Sequence, residues 1–441
     1  MKAGRLYPTI WRWHFYAGLF VIPFVLLLAV TGGFYLFKPQ VERWEERAYR
    51  DLPVAENVLP QQQLNTALAA FPGARFDSYR LPRQAGDAAM IHLAMPDGRS
   101  MRDVFISPQG ELLGSMDSQS RIMEVDKRIH GQLLMGARGS WLVELVACWA
   151  IFLILSGLYL WWPRDRMFAG VIWPRLKGRG RVLWRDLHAV TGFWISGLVL
   201  ALLITGLPWT SIWGGAFSSI RTELGLVKGA QEWTLGGEAA TDEGPRPPVV
   251  GLHPRHDHAA MMAMMPPPNA AGAGAGIDNM VARAREEALA FPVIITPPGG
   301  PGRFGAPGPM AWTIRSDAAV PPQRTSITYD AATGQEISRD KFADSHIIDR
   351  AVGYGIAWHE GQLFGWISQA VGVITATGLI LMAVSGFVMW RRRKPADALG
   401  APSPSALPAR MGGVAAILLF LAALLPLLML WTALHPPAVV S

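Results

Sequence analysis

Residues 11–37 read WRWHFYAGLFVIPFVLLLAVTGGFYLF, and residues 184–206 read WRDLHAVTGFWISGLVLALLITG. Each opens on a tryptophan, an arginine and a histidine, runs through an apolar stretch, and reaches a Thr-Gly pair. His14 is followed by Thr31-Gly32 and His188 by Thr205-Gly206, seventeen positions on in both cases. A second pair repeats with its own spacing. His130 precedes Ser156-Gly157 by 26 positions and Trp161 by 31, and His359 precedes Ser385-Gly386 and Trp390 by the same intervals. Four histidines held in register twice, at the ends of apolar helices, are expected to be ligands. Ionisable groups inside a membrane span are costly and usually functional.

The composition belongs to a membrane protein. Of 441 residues, 51% are hydrophobic and only 17% charged, and the mean hydropathy is +0.23. A helix crosses about 30 Å of hydrocarbon with roughly 20 apolar residues. Five stretches qualify, near 13–37, 138–162, 187–213, 364–390 and 411–434. The first is read as a retained anchor, because its apolar part from Phe15 to Phe37 is longer than a signal-peptide core and no A-x-A-like site follows. Basic residues fix the expected orientation. Lys2, Arg5 and Arg12 start the chain; Arg164, Arg166, Arg175, Lys177, Arg179, Arg181 and Arg185 lie about the loop at 164–186; Arg391, Arg392, Arg393, Lys394 and Arg410 flank the loop at 392–410. These lie on one side if the helices alternate. The N-terminus is then cytoplasmic, the C-terminus periplasmic, and the +7 net charge needs no nucleic-acid partner. The lone Cys148 allows no intrachain disulfide, and without a C-x-x-C-H there is no covalent c-type haem attachment.

The two long segments between helices, 39–128 and 214–356, follow the same order: a helix (Gln61–Phe71; Asp278–Phe291), two strands (75–81 and 90–94; 293–296 and 311–315), then a hairpin (about 103–114; 325–338). The expected fold is therefore an α-helical membrane protein made of a duplicated two-helix unit, a four-helix haem-binding bundle, with a fifth helix appended and two small α+β outer domains. The second outer domain carries an insertion at 253–276, HPRHDHAAMMAMMPPPNAAGAGAG. Its Pro, Gly and Ala content argues against a packed core.

Alternation of the spans decides which histidines can meet. His14 and His188 share the inner face, His130 and His359 the outer. Each pair offers two imidazoles from two helices, which suits bis-histidine ligation of a b-type haem; two such haems would form a wire across the bilayer. Gly18, Gly192, Gly131, Gly136, Gly361 and Gly365 are candidates for making room, though small residues also serve helix packing. Arg12, Arg185, Arg128 and Arg350 are candidates for pairing with haem propionates, against the positive-inside rule for the inner two. Glu144 reads either as a proton-relay group or as a hydrogen-bond partner of Ser140 or Trp141. Trp11, Trp13, Trp161, Trp162 and Trp390 read as an interfacial belt. His92, His346 and His435 have no counterparts and read as surface residues.

Trp11-x-x-His14-x-x-x-Gly18-Leu19, His130-Gly-Gln-Leu-Leu-x-Gly136, Trp184-Arg-x-Leu-His188-x-x-x-Gly192 and His359-x-Gly-Gln-Leu-Phe-Gly365 resemble the PepSY-associated transmembrane family, also described as iron-regulated membrane proteins. The resemblance covers about residues 5–394, and the outer domains resemble PepSY domains. The fifth helix and the insertion depart from the minimal four-helix pattern. The family includes ferric-siderophore reductases of the bacterial inner membrane. The resemblance implies two b haems and electron transfer from a cytoplasmic donor (a flavoprotein, reduced flavin or quinol) to a periplasmic ferric chelate. Two alternatives stand beside it. His253, His256 and His258 with Met261, Met262, Met264 and Met265 offer imidazole and thioether ligands for copper, which suits a cupric reductase or copper-handling protein, against a low-complexity loop with incidental histidines. A membrane-tethered PepSY binding or regulatory module would need no haem.

Overall fold

The computed structural model describes residues 6–54, 57–162, 170–177, 180–226, 276–300 and 309–402. The expected fifth helix at 411–434 and the His/Met residues of the insertion lie outside them. The described residues divide into two compact units, one helical (within 6–38, 126–221 and 355–402) and one built on a sheet (within 39–125 and 222–354).

The helical unit contains α1 (Leu6–Tyr35), α5 (Gly136–Trp161), α6 (Arg181–Gly206) and α10 (Trp366–Arg393). All four are long and apolar enough to cross a membrane. Their burial is inverted relative to a water-soluble bundle. Phe20, Leu27, Val30 and Phe34 of α1, Ile204 of α6 and Ile374 and Phe387 of α10 are exposed, while Ser156, Ser385, Glu144 and Thr31 are buried. In lipid there is no hydrophobic drive between helices, so polar and small residues gather inside and large apolar ones face outward. Small residues bring the helices close: a Cβ at Gly33 would stand 3.3 Å from Ala376, and one at Gly378 would stand 2.9 Å from Ile195. α1 packs on α5 and α10, and α6 packs on the same two. Thus α1 faces α6 across one diagonal, and α5 faces α10 across the other.

Two shorter helices lead into the spans, α4 (Ile122–Gln132) before α5 and α9 (Ile347–His359) before α10. The break after α4 passes through left-handed backbone at Leu133 and Leu134 (φ 51° and 57°), and the break after α9 does so at Gly361 and Gly365 (φ 69° and 58°). Gly139 makes the first break possible, since a Cβ there would fall on the carbonyl oxygen of Gln132. α7 (Ser211–Glu223) follows α6 after a short 3-10 turn.

The sheet unit holds α2 (Lys38–Glu45, its first residue apart), α3 (Pro60–Ala70), α8 (Ile277–Glu286) and eight strands: β1 (Arg75–Arg80), β2 (Ala89–Ala94), β3 (Met101–Ile106), β4 (Leu112–Asp117), β5 (Val293–Thr296), β6 (Trp312–Ser316), β7 (Thr325–Tyr329) and β8 (Glu336–Lys341). Two antiparallel four-stranded meanders join edge to edge into one sheet of order β4-β3-β2-β1-β5-β6-β7-β8. The seam pairs Tyr79 with Ile295 and Arg80 with Ile294. Equivalent strands of the two halves thus meet, and their helices meet too: the Gln61 amide donates to Asp278 Oδ1 at 2.8 Å. The alternating apolar residues of both halves fill one core, including Leu64, Ala67, Tyr79, Ile91, Leu93, Met280, Ile295, Ile314 and Ile327. Each large side chain fully buried here contributes about 1.5–3 kcal/mol. Joining the meanders also removes two sheet edges that would otherwise be open to wrong pairing.

An ion-pair network lies in the same unit. Arg121 donates to Glu45, Glu46 and Asp103 at 2.9, 2.7 and 3.2 Å, and Arg80 donates to Glu46 at 2.7 Å. His92, expected at the surface, bonds Asp103 through Nδ1 at 2.8 Å. Burial pushes the Glu46 and Asp103 carboxyls up, but the cations and donors around them more than offset this. Both are held below the usual carboxylate range.

Candidate haem-binding site

The four repeated histidines sit inside the helical unit, all partly buried. His14 on α1 and His188 on α6 share one diagonal and lie within electrostatic reach of each other. His130 lies in the last turn of α4 and His359 ends α9, so the second diagonal carries the other pair. Their ring centres stand 6.4 Å apart with planes at 74°.

Each imidazole is gripped through Nδ1 by the hydroxyl motif of a neighbouring helix. His14 Nδ1 meets Ser156 Oγ at 2.8 Å. His130 Nδ1 meets Thr31 Oγ1 at 2.9 Å. His188 Nδ1 meets the Met382 carbonyl at 3.1 Å and Ser385 Oγ at 3.2 Å. His359 Nδ1 meets the Leu202 carbonyl at 2.9 Å and Thr205 Oγ1 at 3.5 Å. A carbonyl can only accept, so His188 and His359 carry their proton on Nδ1. The hydroxyls of Ser156 and Thr31 also reach the Leu153 and Leu27 carbonyls at 3.3 and 2.9 Å, and donating there leaves each able to accept from a ring protonated on Nδ1. His188 and His359 keep an unprotonated Nε2, the same tautomer is compatible with His14 and His130, and the partner of the other nitrogen sets which nitrogen a metal can take.

The glycine after each hydroxyl completes the grip. A Cβ would stand 2.9 Å from His130 Cε1 at Gly32, 3.0 Å from His359 at Gly206, 3.3 Å from His14 at Gly157 and 3.4 Å from His188 at Gly386. The hydroxyl holds the ring and the missing side chain admits it. The Thr-Gly and Ser-Gly pairs served only as spacing landmarks in the sequence; their constant offset from the histidines was the available signal. The glycines first considered behave otherwise. A Cβ at Gly18 would meet Leu153 at 3.8 Å, one at Gly192 would meet Met382 at 2.9 Å, and Gly131 and Gly365 have open space.

The remaining candidates fall elsewhere. Arg185 pairs with buried Asp186 at 2.9 Å, as does Arg175 at 2.7 Å. Arg12 lies over the Tyr16 ring. Glu144 accepts from Thr210 Oγ1 and from the amides of Ile212 and Trp213, so it caps the N-terminus of α7, where a carboxylate is favoured. The repeated Trp161 and Trp390 donate to the Val171 and Leu399 carbonyls of the following loops at 2.9 and 3.0 Å. Trp161 also stacks on Phe193 at 4.1 Å.

A family model described as the PepSY-associated TM region matches residues 11–393. The chain belongs to the PepSY-associated transmembrane family. Comparison with curated proteins gives no match. The matched range of this PepSY-associated protein takes in all four histidines, their hydroxyl partners and the whole sheet unit.

A fit test for iron can be made on the His130/His359 pair. Two metal–nitrogen bonds of about 2.0–2.1 Å, with roughly 1.1 Å from each nitrogen to its ring centre, place two imidazole centres about 6.3 Å apart, close to the 6.4 Å found. Among the described residues no three His, Cys, Asp or Glu side chains converge on one point. A metal held by one pair would thus have two such protein ligands among the described residues, and a bis-histidine haem would complete its coordination. The donor set fits a bis-histidine haem.

Proposed function

We propose that this PepSY-associated protein is a dihaem b-type reductase of the bacterial inner membrane. In this reading it passes electrons from a cytoplasmic donor to a periplasmic ferric chelate. The observation that carries it is the common placement of four histidines, each held through Nδ1 by a neighbouring helix, with the rings of His130 and His359 centred 6.4 Å apart. Haem at each pair would supply one-electron transfer.

The protein's own residues do the rest. Thr31, which holds His130, lies seventeen positions beyond His14 on α1, so the two histidine levels are about 25 Å apart at 1.5 Å per residue. In this reading one site would lie near each face. Buried side chains such as Val21, Ala29 and Phe152 would keep water from between the levels, and the hydroxyl and carbonyl partners would keep the ring orientations fixed through a change of charge. The basic residues flanking the inner loops suit an acidic or anionic donor. The loops at 164–186 and 392–410 are too short for a nicotinamide or flavin domain, and in this reading a separate molecule would donate the electrons. Reduction releases iron because Fe(II) is held less tightly than Fe(III) by hard oxygen ligands.

The test is reduction of ferric chelates outside proteoliposomes that hold a reductant inside. Fe(II) should appear in a trap with the wild-type protein and fail to appear with His14→Ala or His130→Ala. Equal rates with both variants would overturn the reading. A Cu(II) chelate run in parallel discriminates the copper alternative.

A further inference from the structure

The two halves repeat in sequence but hold their histidines by different atoms. In the second half the acceptor of His188 includes a backbone carbonyl, Met382 O at 3.1 Å, beside Ser385 Oγ at 3.2 Å. For His359 the carbonyl of Leu202 is the nearer acceptor, 2.9 Å against 3.5 Å for Thr205 Oγ1. In the first half the order reverses. His14 is held by the Ser156 hydroxyl at 2.8 Å. His130 is held by the Thr31 hydroxyl at 2.9 Å, with the Leu28 carbonyl as a further neighbour.

We propose that Ser156, and to a lesser degree Thr31, are positioning residues that fix the protonated nitrogen and the rotation of the first-half ligands, whereas their repeat equivalents Ser385 and Thr205 are dispensable because backbone carbonyls do the same work. This rests on the haem reading above and adds to it an inequality between positions that the repeat makes identical. A backbone acceptor cannot be removed by a side-chain change. A hydroxyl can. Without Ser156 the His14 Nδ1–H faces Gly157 and loses the one hydrogen-bond partner it has among the described residues. The ring then gains freedom to turn, and the proton to move to Nε2, the nitrogen an iron needs. Loss of such an outer partner weakens metal binding about 10–100-fold in other sites.

The hydroxyls also carry an electronic role. An imidazole whose Nδ1–H is accepted is a stronger donor to the metal, which favours ferric over ferrous iron. A tenfold loss of that preference reads as about 59 mV for a one-electron couple, upward. The inner site therefore depends on a serine that mutation can reach, while its partner ligand is protected by the main chain.

The experiment compares Ser156→Ala with Ser385→Ala, and Thr31→Ala with Thr205→Ala, in purified full-length protein. The readouts are the rate of haem loss to an excess of haem acceptor, the low-spin electron paramagnetic resonance signal and the midpoint potentials. Spectra of His14→Ala and His130→Ala assign each signal to a site. Haem loss from the inner site should rise at least tenfold in Ser156→Ala and less than threefold in Ser385→Ala; haem loss from the outer site should rise by an intermediate factor in Thr31→Ala and less than threefold in Thr205→Ala. Ser156→Thr, which restores the hydroxyl, should return the wild-type resonance. If Ser156→Ala accumulates poorly, Ser156→Cys, with similar volume and a weak acceptor, is read in the same way. Equal effects of Ser156→Ala and Ser385→Ala, or none in either, would overturn the inequality while leaving the haem reading intact. Wild-type protein that takes up no haem would instead overturn the functional reading on which the proposal rests.

Discussion

Gly32→Ala is the substitution whose effect follows most directly from coordinates. The new methyl would stand 2.9 Å from His130 Cε1 and 3.4 Å from Nδ1, against an ordinary carbon–carbon separation of about 3.5–4.0 Å. The overlap is at least 0.6 Å or so. His130 cannot swing clear without stretching its 2.9 Å bond to Thr31, the residue beside Gly32 on the same helix. Overpacking of this kind costs about 1–3 kcal/mol, which is roughly 5–150-fold in the population of a binding-competent site. Gly206→Ala, at 3.0 Å from His359 Cε1, should behave alike, whereas Gly386→Ala meets His188 at 3.4 Å, an ordinary contact. Haem content by absorbance and the melting temperature in detergent give two independent readings. Gly32→Ala and Gly206→Ala should lose outer-site haem and melt earlier, with Gly386→Ala close to wild type. Full loading of Gly32→Ala, or equal damage from Gly386→Ala, would refute the assignment of these glycines to ring clearance.

Gly139→Ala should cost more than about 3 kcal/mol, beyond the usual overpacking range, because its methyl would meet the rigid carbonyl of Gln132; the yield of folded protein by size-exclusion chromatography checks this. Arg121→Met leaves Glu46 and Asp103 buried with fewer cations and should destabilise the sheet unit by about 3–5 kcal/mol, seen in denaturation of the full-length protein. Because both carboxyls have depressed pKa values when folded, their stabilisation is present above the unfolded values near 4 and is lost as pH falls. Acid should therefore destabilise wild type more steeply than Arg121→Met. Asp126 has the opposite sign: burial raises its carboxyl to about 6, so stability is full below its unfolded value and falls as pH rises through 6. Asp126→Asn should raise the melting temperature at pH 8 and leave it unchanged at pH 4. Glu144→Gln halves the acceptors available to Thr210, Ile212 and Trp213 and should cost about 1–3 kcal/mol without altering the haem spectrum; a lost electron-transfer rate at unchanged stability would revive a proton-relay role.

The membrane spans were legible in the sequence because a long apolar run has one solution in lipid. Four of the five expected spans fall on helices, with ends displaced by up to seven residues, and the strands of both meanders fall within about three residues of where the sequence pattern puts them. The histidines were legible because their spacing repeats. Other features carried no local signal. The pairing of β1 with β5 joins segments separated by a membrane hairpin, and nothing in Arg75–Arg80 names its partner. Glu144 read ambiguously because its donors, Thr210 and the first amides of α7, lie on another element. The asymmetry between Ser156 and Ser385 was invisible for a different reason. It depends on where a main-chain carbonyl points, and two identical Ser-Gly pairs conceal it.

The most direct measurement is the haem content and spectrum of the purified full-length protein, oxidised and reduced, with each repeated histidine changed in turn. Two low-spin b-type haems per chain are expected, falling to one in His14→Ala and in His130→Ala, with different halves of the spectrum lost. A protein that binds no haem under ample supply, or one whose haem survives both substitutions, would contradict the pairing of these four residues as axial ligands.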